Sequence, residues 1–484
     1  MTSFSDIYIL NLHGSARKRE KSPDGSRDEN VFDIAQGMAI CLFVKKPGVH
    51  KEAHIYYADL WGLRESKYNA LAETDVASTQ WTCLDPRAEQ FFFVPKDFSA
   101  SEEYENFVGI QELFLQSSTG IQTKRDGLVY HFTKEELERT LKDIASLSSL
   151  DLTERYALPP DGRDWTVEAA RKDVLSKRGT LTRVLYHPFD HRWTLYTGKT
   201  KGLMAYPRYP FMGNALQNNL LLLGIRNARR GKVDSFFVAN SLVDKDAVSP
   251  FDNAIFFPLY LYPASRQASL FVESTPADVP DGRRCNLTTA CTRDVAERLN
   301  MHFLYDGRGN LQQNFGPEDI FHYLYALFHS PAYRARYAEF LRIDFPSVPF
   351  TSNGLLFCDL CVLGERLVGL HLMERIGTIT TRYPEKGNNV IEKVDCTCLA
   401  SESEKSRVWI NETQYFAGIP PEFWDFQIGG YQVCSRWLKD RKGRSLGFHD
   451  IQHYQRIVAA LAETVTIMGQ IDKAVEERGG WPIE

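Results

Sequence analysis

The chain has 484 residues, 43% hydrophobic and 25% charged; this globular balance excludes disordered and collagen-like classes and leaves room for two or three domains. Lysine and arginine number 57 against 62 aspartate and glutamate, a net charge of -5, so contact with nucleic acid has to come from local basic patches. No apolar run reaches the ~18 residues of a membrane span, and no basic segment followed by an apolar one opens the chain. A cytoplasmic chain without membrane contact is expected, and nine cysteines in no regular framework suit reduced thiols.

Residues 7–12 and 38–44 are short apolar runs that predict buried strands, and the polar, turn-rich stretch between them predicts an exposed loop. Residues 54–59 alternate as an edge strand does, 62–72 predict a helix, and 91–93 predict a strand that closes the unit. Helical patterns follow at 104–115, 133–147 and 167–175. Over 186–212, Arg192, Lys199, Lys201 and Arg208 interleave with Trp193, Tyr196, Tyr206 and Tyr209. The cations suit phosphates, and the aromatic groups suit either bases or a core. His187, Asp190 and His191 lie close in sequence, but Pro188 among them leaves no settled ligand geometry, and no metal is expected.

Residues 220–225 predict a buried strand, followed by a second basic loop carrying Arg226, Arg229, Arg230 and Lys232. Forked guanidinium groups match guanine's two acceptors, although such a loop can equally touch only the backbone. Residues 254–262 predict an apolar strand and 319–341 two helices split near Ser330 and Pro331, with His322 and His329 as packing or capping residues. The cysteine pairs Cys358/Cys361 and Cys396/Cys398 lack the usual spacing and setting of a zinc site.

Within 407–468, Gly418, Pro420 and Pro421 break the chain before Trp424, and Gly429 and Gly430 break it before Tyr431. Arg436, Lys439, Arg441, Lys442 and Arg444 then crowd one short loop around Trp437, a mixture that suits a polyanion. Ile451, Tyr454, Val458, Leu461, Val465 and Met468 recur in steps of three and four, predicting an amphipathic helix with Asp450 as its N-cap. These residues alone leave open that the loop is an ordinary solvated connection.

The run WINETQYFAGIPPEFWDFQIGGYQVCSRWLKDRKGR, followed by DIQHYQRIVAALAET, resembles the C-terminal specificity region of the single-polypeptide restriction-modification enzymes called Type ISP. PFDHRW and YPRYP are similar to the opening of that family's target recognition domain. NLHG, PDGSRDENVFDI and GMAICLFVKK are similar to the end of its adenine methyltransferase domain. The resemblance implies a mixed α/β chain: the end of a Rossmann-like methyltransferase sheet over 1–60, a helical connector over 61–180 and an α+β target recognition domain over 181–484, ending in a long helix.

It also implies double-stranded DNA as partner and a role in phage defence. The contacts would come from Arg192, Lys199, Lys201, Arg208, Arg226, Arg229, Arg230, Arg436, Lys439, Arg441, Lys442 and Arg444. Phe32 would stack on an adenine swung out of the duplex, offsetting the few kcal/mol that flipping costs; read from the residues alone, it can instead pack within its own loop. The family's glycine-containing turn for S-adenosylmethionine and its Asn/Asp-Pro-Pro-aromatic motif do not occur, since Pro159-Pro160 and Pro420-Pro421 are each followed by an acid. No catalytic residue is therefore expected here, and S-adenosylmethionine is expected for the complete enzyme only. Methyltransferase, helicase and nuclease portions would lie in cis or on a separate chain. The alternative is a non-catalytic DNA-binding specificity subunit or a decayed remnant.

Overall fold

β1 (Asp6–His13) is bonded on both sides, antiparallel to β2 (Met38–Val44) and parallel to β3 (His54–Asp59). Helix α1 (Arg64–Glu73) follows, and β4 (Thr82–Leu84) pairs with β3 to give the order β2-β1-β3-β4. β3, expected at an edge, is thus internal. β4 takes the closing place expected of 91–93; Phe92 and Phe93 lie outside strands. Ile7, Ile9, Ile55 and Tyr57 make a small core. β2 was expected to be buried, yet its residues are exposed on both faces, Phe43 to 52%, because it ends the sheet. An uncovered apolar edge strand is a pairing template.

This computed structural model describes residues 3–16, 20–47, 52–86, 92–228, 233–263, 282–397 and 406–483. The chain divides into two compact units, 1–99 and 100–484, a division at neither of the boundaries expected after 60 and 180. The helices expected to form one connector are split: α1 belongs to the first unit, while α2 (Lys134–Ser146) and α3 (Val167–Leu175) share a core with the rest of the second. Ile144 of α2 and Ala170 of α3 pack in one cluster with Val184 and Tyr454. α2 begins at a Thr133/Glu136 capping box and turns Leu137, Thr140 and Ile144 inward, a one-sided stripe that needs a partner.

β5 (Thr180–His187) and β6 (Asp190–Tyr196) form an antiparallel hairpin. β7 (Leu221–Gly224) and β8 (Phe237–Ala239) pair antiparallel, β9 (Leu242–Val243) runs parallel beside β5, and β10 (Ile255–Pro258) pairs with β7. Among the unit's further helices are α4 (Pro317–His329), α5 (Gly354–His371), α6 (Val433–Lys439) and α7 (Phe448–Glu477). In α4 every residue but Glu318 is buried, so it is a central helix and not an amphipathic surface one. None of the described helices is long and apolar enough to cross a membrane.

The core between these helices holds a polar chain. Thr464 uses its hydroxyl hydrogen on the Ala460 carbonyl at 2.7 Å, so at 3.0 Å from His371 Nε2 it can only accept. His371 therefore carries its proton on Nε2 and accepts from the Tyr325 hydroxyl at Nδ1, 2.5 Å away. Both ring nitrogens are satisfied by the neutral tautomer, and burial pushes the His371 pKa down to about 3. His329 bonds the Tyr325 carbonyl, in keeping with the packing role expected of it.

α7 starts earlier than its apolar spacing indicates. Gly447 is the N-cap, and Asp450 is at N3, its carboxylate accepting from the Gly447 amide at 3.0 Å. Tyr454, Val458 and Leu461 are buried as expected, but Val465 is 39% exposed, and the buried stripe continues through Thr464, Ile467, Ile471 and Val475. Seven of the cysteines are free thiols. Cys361 donates to the Asp319 carbonyl and burial pushes its thiol up, the reverse of what a zinc thiolate needs. Cys396 is disulfide-bonded, a departure from the all-reduced expectation; Cys398 lies outside the described residues.

Candidate nucleic-acid interface

The turn between β5 and β6 places His187 and Asp190 against the start of the basic loop after α6. Asp190 accepts from Arg192 Nη2 at 2.6 Å and from Arg441 Nη2 and Nη1 at 2.8 and 3.2 Å. His187 Nδ1 lies 2.8 Å from Asp440 Oδ2, and Arg436 Nε 3.0 Å from Asp440 Oδ1. The Arg192 guanidinium sits 3.4 Å from the Phe132 ring centre, Arg444 at 4.1 Å from the same ring, and Arg441 at 3.6 Å from Trp437. Burial pushes the Asp190 carboxyl up, but Arg441 and Arg192 outweigh it and hold the pKa down at about 2.

This geometry corrects two expected DNA contacts. Arg192 and Arg441 are 4% and 7% exposed, their forks spent on an internal carboxylate and their faces on aromatic rings, so neither presents a cation to a phosphate. Arg444 is half-buried and bonds Glu136 at 2.7 Å. His187, Asp190 and Asp440 do place ligand atoms within 4.8 Å of one another, unlike the His187/Asp190/His191 set weighed from sequence. A dication there would displace guanidinium groups that already neutralise both carboxylates, so the donor set does not suit a metal.

What remains outside is a lysine pair. Lys439 and Lys442 are exposed, on a turn made possible by Gly443 at φ +78°. Segment 386–391 fixes that turn: Gly443 N donates to Ile391 O at 2.7 Å, Ile391 N to Arg444 O at 3.0 Å and Leu446 N to Asn389 O at 2.9 Å. Exposed Lys386 and Asn388 thereby join the basic turn from about 55 residues away. Sequence reasoning missed them; the signal that could have found them is the turn-forming Gly387-Asn388-Asn389 beside a lysine.

A second basic surface is the loop after β6. Asp173 of α3, 1% exposed, accepts from Thr197 Oγ1 at 2.7 Å and Leu203 N at 2.8 Å. A Cβ on Gly202 would stand 2.2 Å from that carboxylate, which explains the glycine. Lys199 and Lys201 are exposed and Arg208 half-buried; Lys201 lies 3.6 Å from Asp164, and Arg208 5.4 Å from the Tyr206 ring centre. Arg226 is exposed and bonds Asp344 at 3.0 Å. Arg229, Arg230 and Lys232 lie outside the described residues.

In the first unit, Phe32 is 54% exposed, so it does not pack into a core of its own loop. Its amide donates to Asn30 Oδ1 at 2.9 Å, and Asn30 Nδ2 donates to Gly14 O and Gln36 O. Beneath lies a fully buried ion pair, Lys67 with Asp28 at 2.7 Å; Lys67 also bonds the Leu12 and Glu29 carbonyls. A cavity of about 840 Å³ opens here, with Gly14, Asp28, Asn30, Phe32, Asp33 and Arg64 among its lining. The loop thus leaves an aromatic ring exposed beside a recess lined by both charged and apolar side chains.

The family model described as the Type ISP C-terminal specificity domain matches residues 112–470, and the chain belongs to that family. It therefore carries the sequence-recognising domain of a Type ISP restriction-modification system. Similar solved structures are the Type ISP enzyme LlaBIII bound to DNA (TM-score 0.68, 19% identity, 100% of this chain and 31% of that one) and a DrdV–DNA complex (0.66, 20%, 98% and 48%). A nuclease-deletion mutant of the Type ISP enzyme LlaGI with a DNA substrate mimic is also similar (0.62, 17%, 98% and 37%). The chain thus spans about a third to a half of the solved chains it resembles. No curated protein matches.

Proposed function

We propose that residues 100–484 read a DNA sequence and that residues 1–99 are the end of an adenine methyltransferase domain, with Phe32 stacking on the flipped adenine. The observation that carries this reading is the specificity-domain match over 112–470; the exposed, hydrogen-bonded setting of Phe32 supports its second half. Lys439, Lys442, Lys199, Lys201 and Arg208 neutralise phosphates, and Arg226, Arg229 and Arg230 are the candidates for base edges.

Methyl transfer belongs to a further portion, in cis or on a separate chain. The exposed apolar edge of β2 supports this, because a strand added there would pair its free backbone groups. At the β3–α1 turn the amides of Gly62 and Arg64 are already used by Asp28 and Glu29, so no step is assigned to S-adenosylmethionine here.

The experiment is selection of bound sequences from a random duplex pool by the full chain, followed by a salt series on the winner. Enrichment of one asymmetric site with steeply salt-dependent affinity is expected. Absence of any enriched site would sink the reading. Adenine methylation of that site on adding the methyltransferase portion separates the enzyme from the binding-only alternative.

A further inference from the structure

Tyr209 is the aromatic residue of segment 186–212 that the fold leaves most open. Tyr196 is buried, Tyr206 and Trp193 are half-buried, and Tyr209 exposes 58% of its surface. Its ring is nevertheless supported. A Cβ on Gly198 would lie 3.0 Å from Tyr209 Cδ2, and one on Gly213 3.8 Å from Cε2, so two glycines let the ring lie close against backbone. Gly198 has φ +72° and Arg208 φ +60°, the latter a left-handed conformation that a non-glycine residue adopts only at a cost. Met212 N on Arg208 O and Gly213 N on Pro210 O, both at 2.9 Å, close the turn, and the Asp173 anchor fixes the other end of the loop.

A core aromatic buries its ring, whereas this one rests against Gly198 and Gly213 and still exposes more than half of its surface, with exposed Lys199 and half-buried Arg208 in the same loop. That is the composition of a stacking platform: a π-face accepts any base, while cations meet the flanking phosphates. The geometry points to Tyr209 as a platform for a nucleobase displaced from the DNA duplex, with Lys199 and Arg208 on the adjoining phosphates. The inference rests on the DNA-recognition reading above. A paired base hides both faces in the helical stack, so the ligand is an unpaired base.

The test measures binding of the full chain to the selected duplex and to versions in which one nucleotide at a time is unpaired 2-aminopurine. The wild type is expected to favour one unpaired version about tenfold over the paired duplex and to quench its fluorescence by stacking. Tyr209→Ala is expected to abolish both; Tyr209→Phe and Tyr209→Trp retain both. Equal preference and quenching in Tyr209→Ala overturns the inference, as does loss in Tyr209→Phe, which would assign the effect to the hydroxyl. No preference by a wild type that binds the paired duplex also overturns it. A wild type that binds no duplex removes the DNA reading itself.

Discussion

Two basic segments of similar composition are used in opposite ways. Around α6, Arg436, Arg441 and Arg444 meet Asp440, Asp190 and Glu136, and their planar faces cover Tyr431, Trp437 and Phe132. After β6, Lys199 and Lys201 stay exposed, Lys201 within 3.6 Å of Asp164, while the buried carboxylate of Asp173 is satisfied by Thr197 and a backbone amide. The difference teaches that arginine density alone does not locate a phosphate site. Guanidinium forks are weakly hydrated and enter the interior readily when a carboxylate awaits them; an ammonium group does so much less easily.

The largest way to break this comparison is Asp190→Ala. It orphans two guanidinium groups that are nearly inaccessible to water and should cost about 3–5 kcal/mol, read as a lower denaturant midpoint. If stability is unchanged, the buried cluster is not what holds the basic turn. Gly202→Ala comes next: its Cβ meets Asp173 Oδ2 at 2.2 Å, and a loss of about 1–3 kcal/mol is expected, with the β6 loop as the first region to gain hydrogen exchange.

A pH series sharpens it further. Burial holds His322 at about 4, His371 at about 3 and His329 well below its ordinary value. The unfolded chain takes up these protons near pH 6.5. Their contribution is therefore full above pH ~6.5 and falls toward pH 4, with a slope of up to ~1.4 kcal/mol per pH unit for each histidine. Asp244 works in the opposite sense. Burial, and then the charge of Asp126, raises it to about 8, so the native state keeps a proton the unfolded chain has released. That contribution is full below pH ~4 and lost as pH rises through about 8. Stability that is flat between pH 4 and 6.5 would contradict neutral buried histidines.

The smallest effects on folding belong to the exposed cations. Replacing Lys439 and Lys442 by alanine should move stability by less than about 0.5 kcal/mol. It should also lower affinity for all sequences alike and reduce the salt slope by about 2. Replacing Arg229 and Arg230 should instead change which site is enriched. A uniform loss from both pairs would end that division of labour.

Much of the chain was readable in advance where pattern and environment agree. β2 and α3 fall on the residues expected of them, and the first unit's strands are carried by β-branched and aromatic runs. β2 shows the limit of that reading: its apolar pattern indicates burial, but burial depends on a neighbour that pattern cannot supply. Likewise Asp450 resembles an N-cap by position, yet the helix gains one more turn because Gly447 is the N-cap and the Asp450 carboxylate accepts its amide from N3.

Local sequence determined the elements, the specificity-family resemblance and the candidate cations, because propensity, periodicity and long low-degeneracy runs are properties of neighbouring residues. Tertiary structure alone decided which of those cations face water. Arg441 and Asp190 are 251 residues apart and Arg444 and Glu136 are 308 apart, and whether a guanidinium is free or spent is set by what lies within about 3 Å of it.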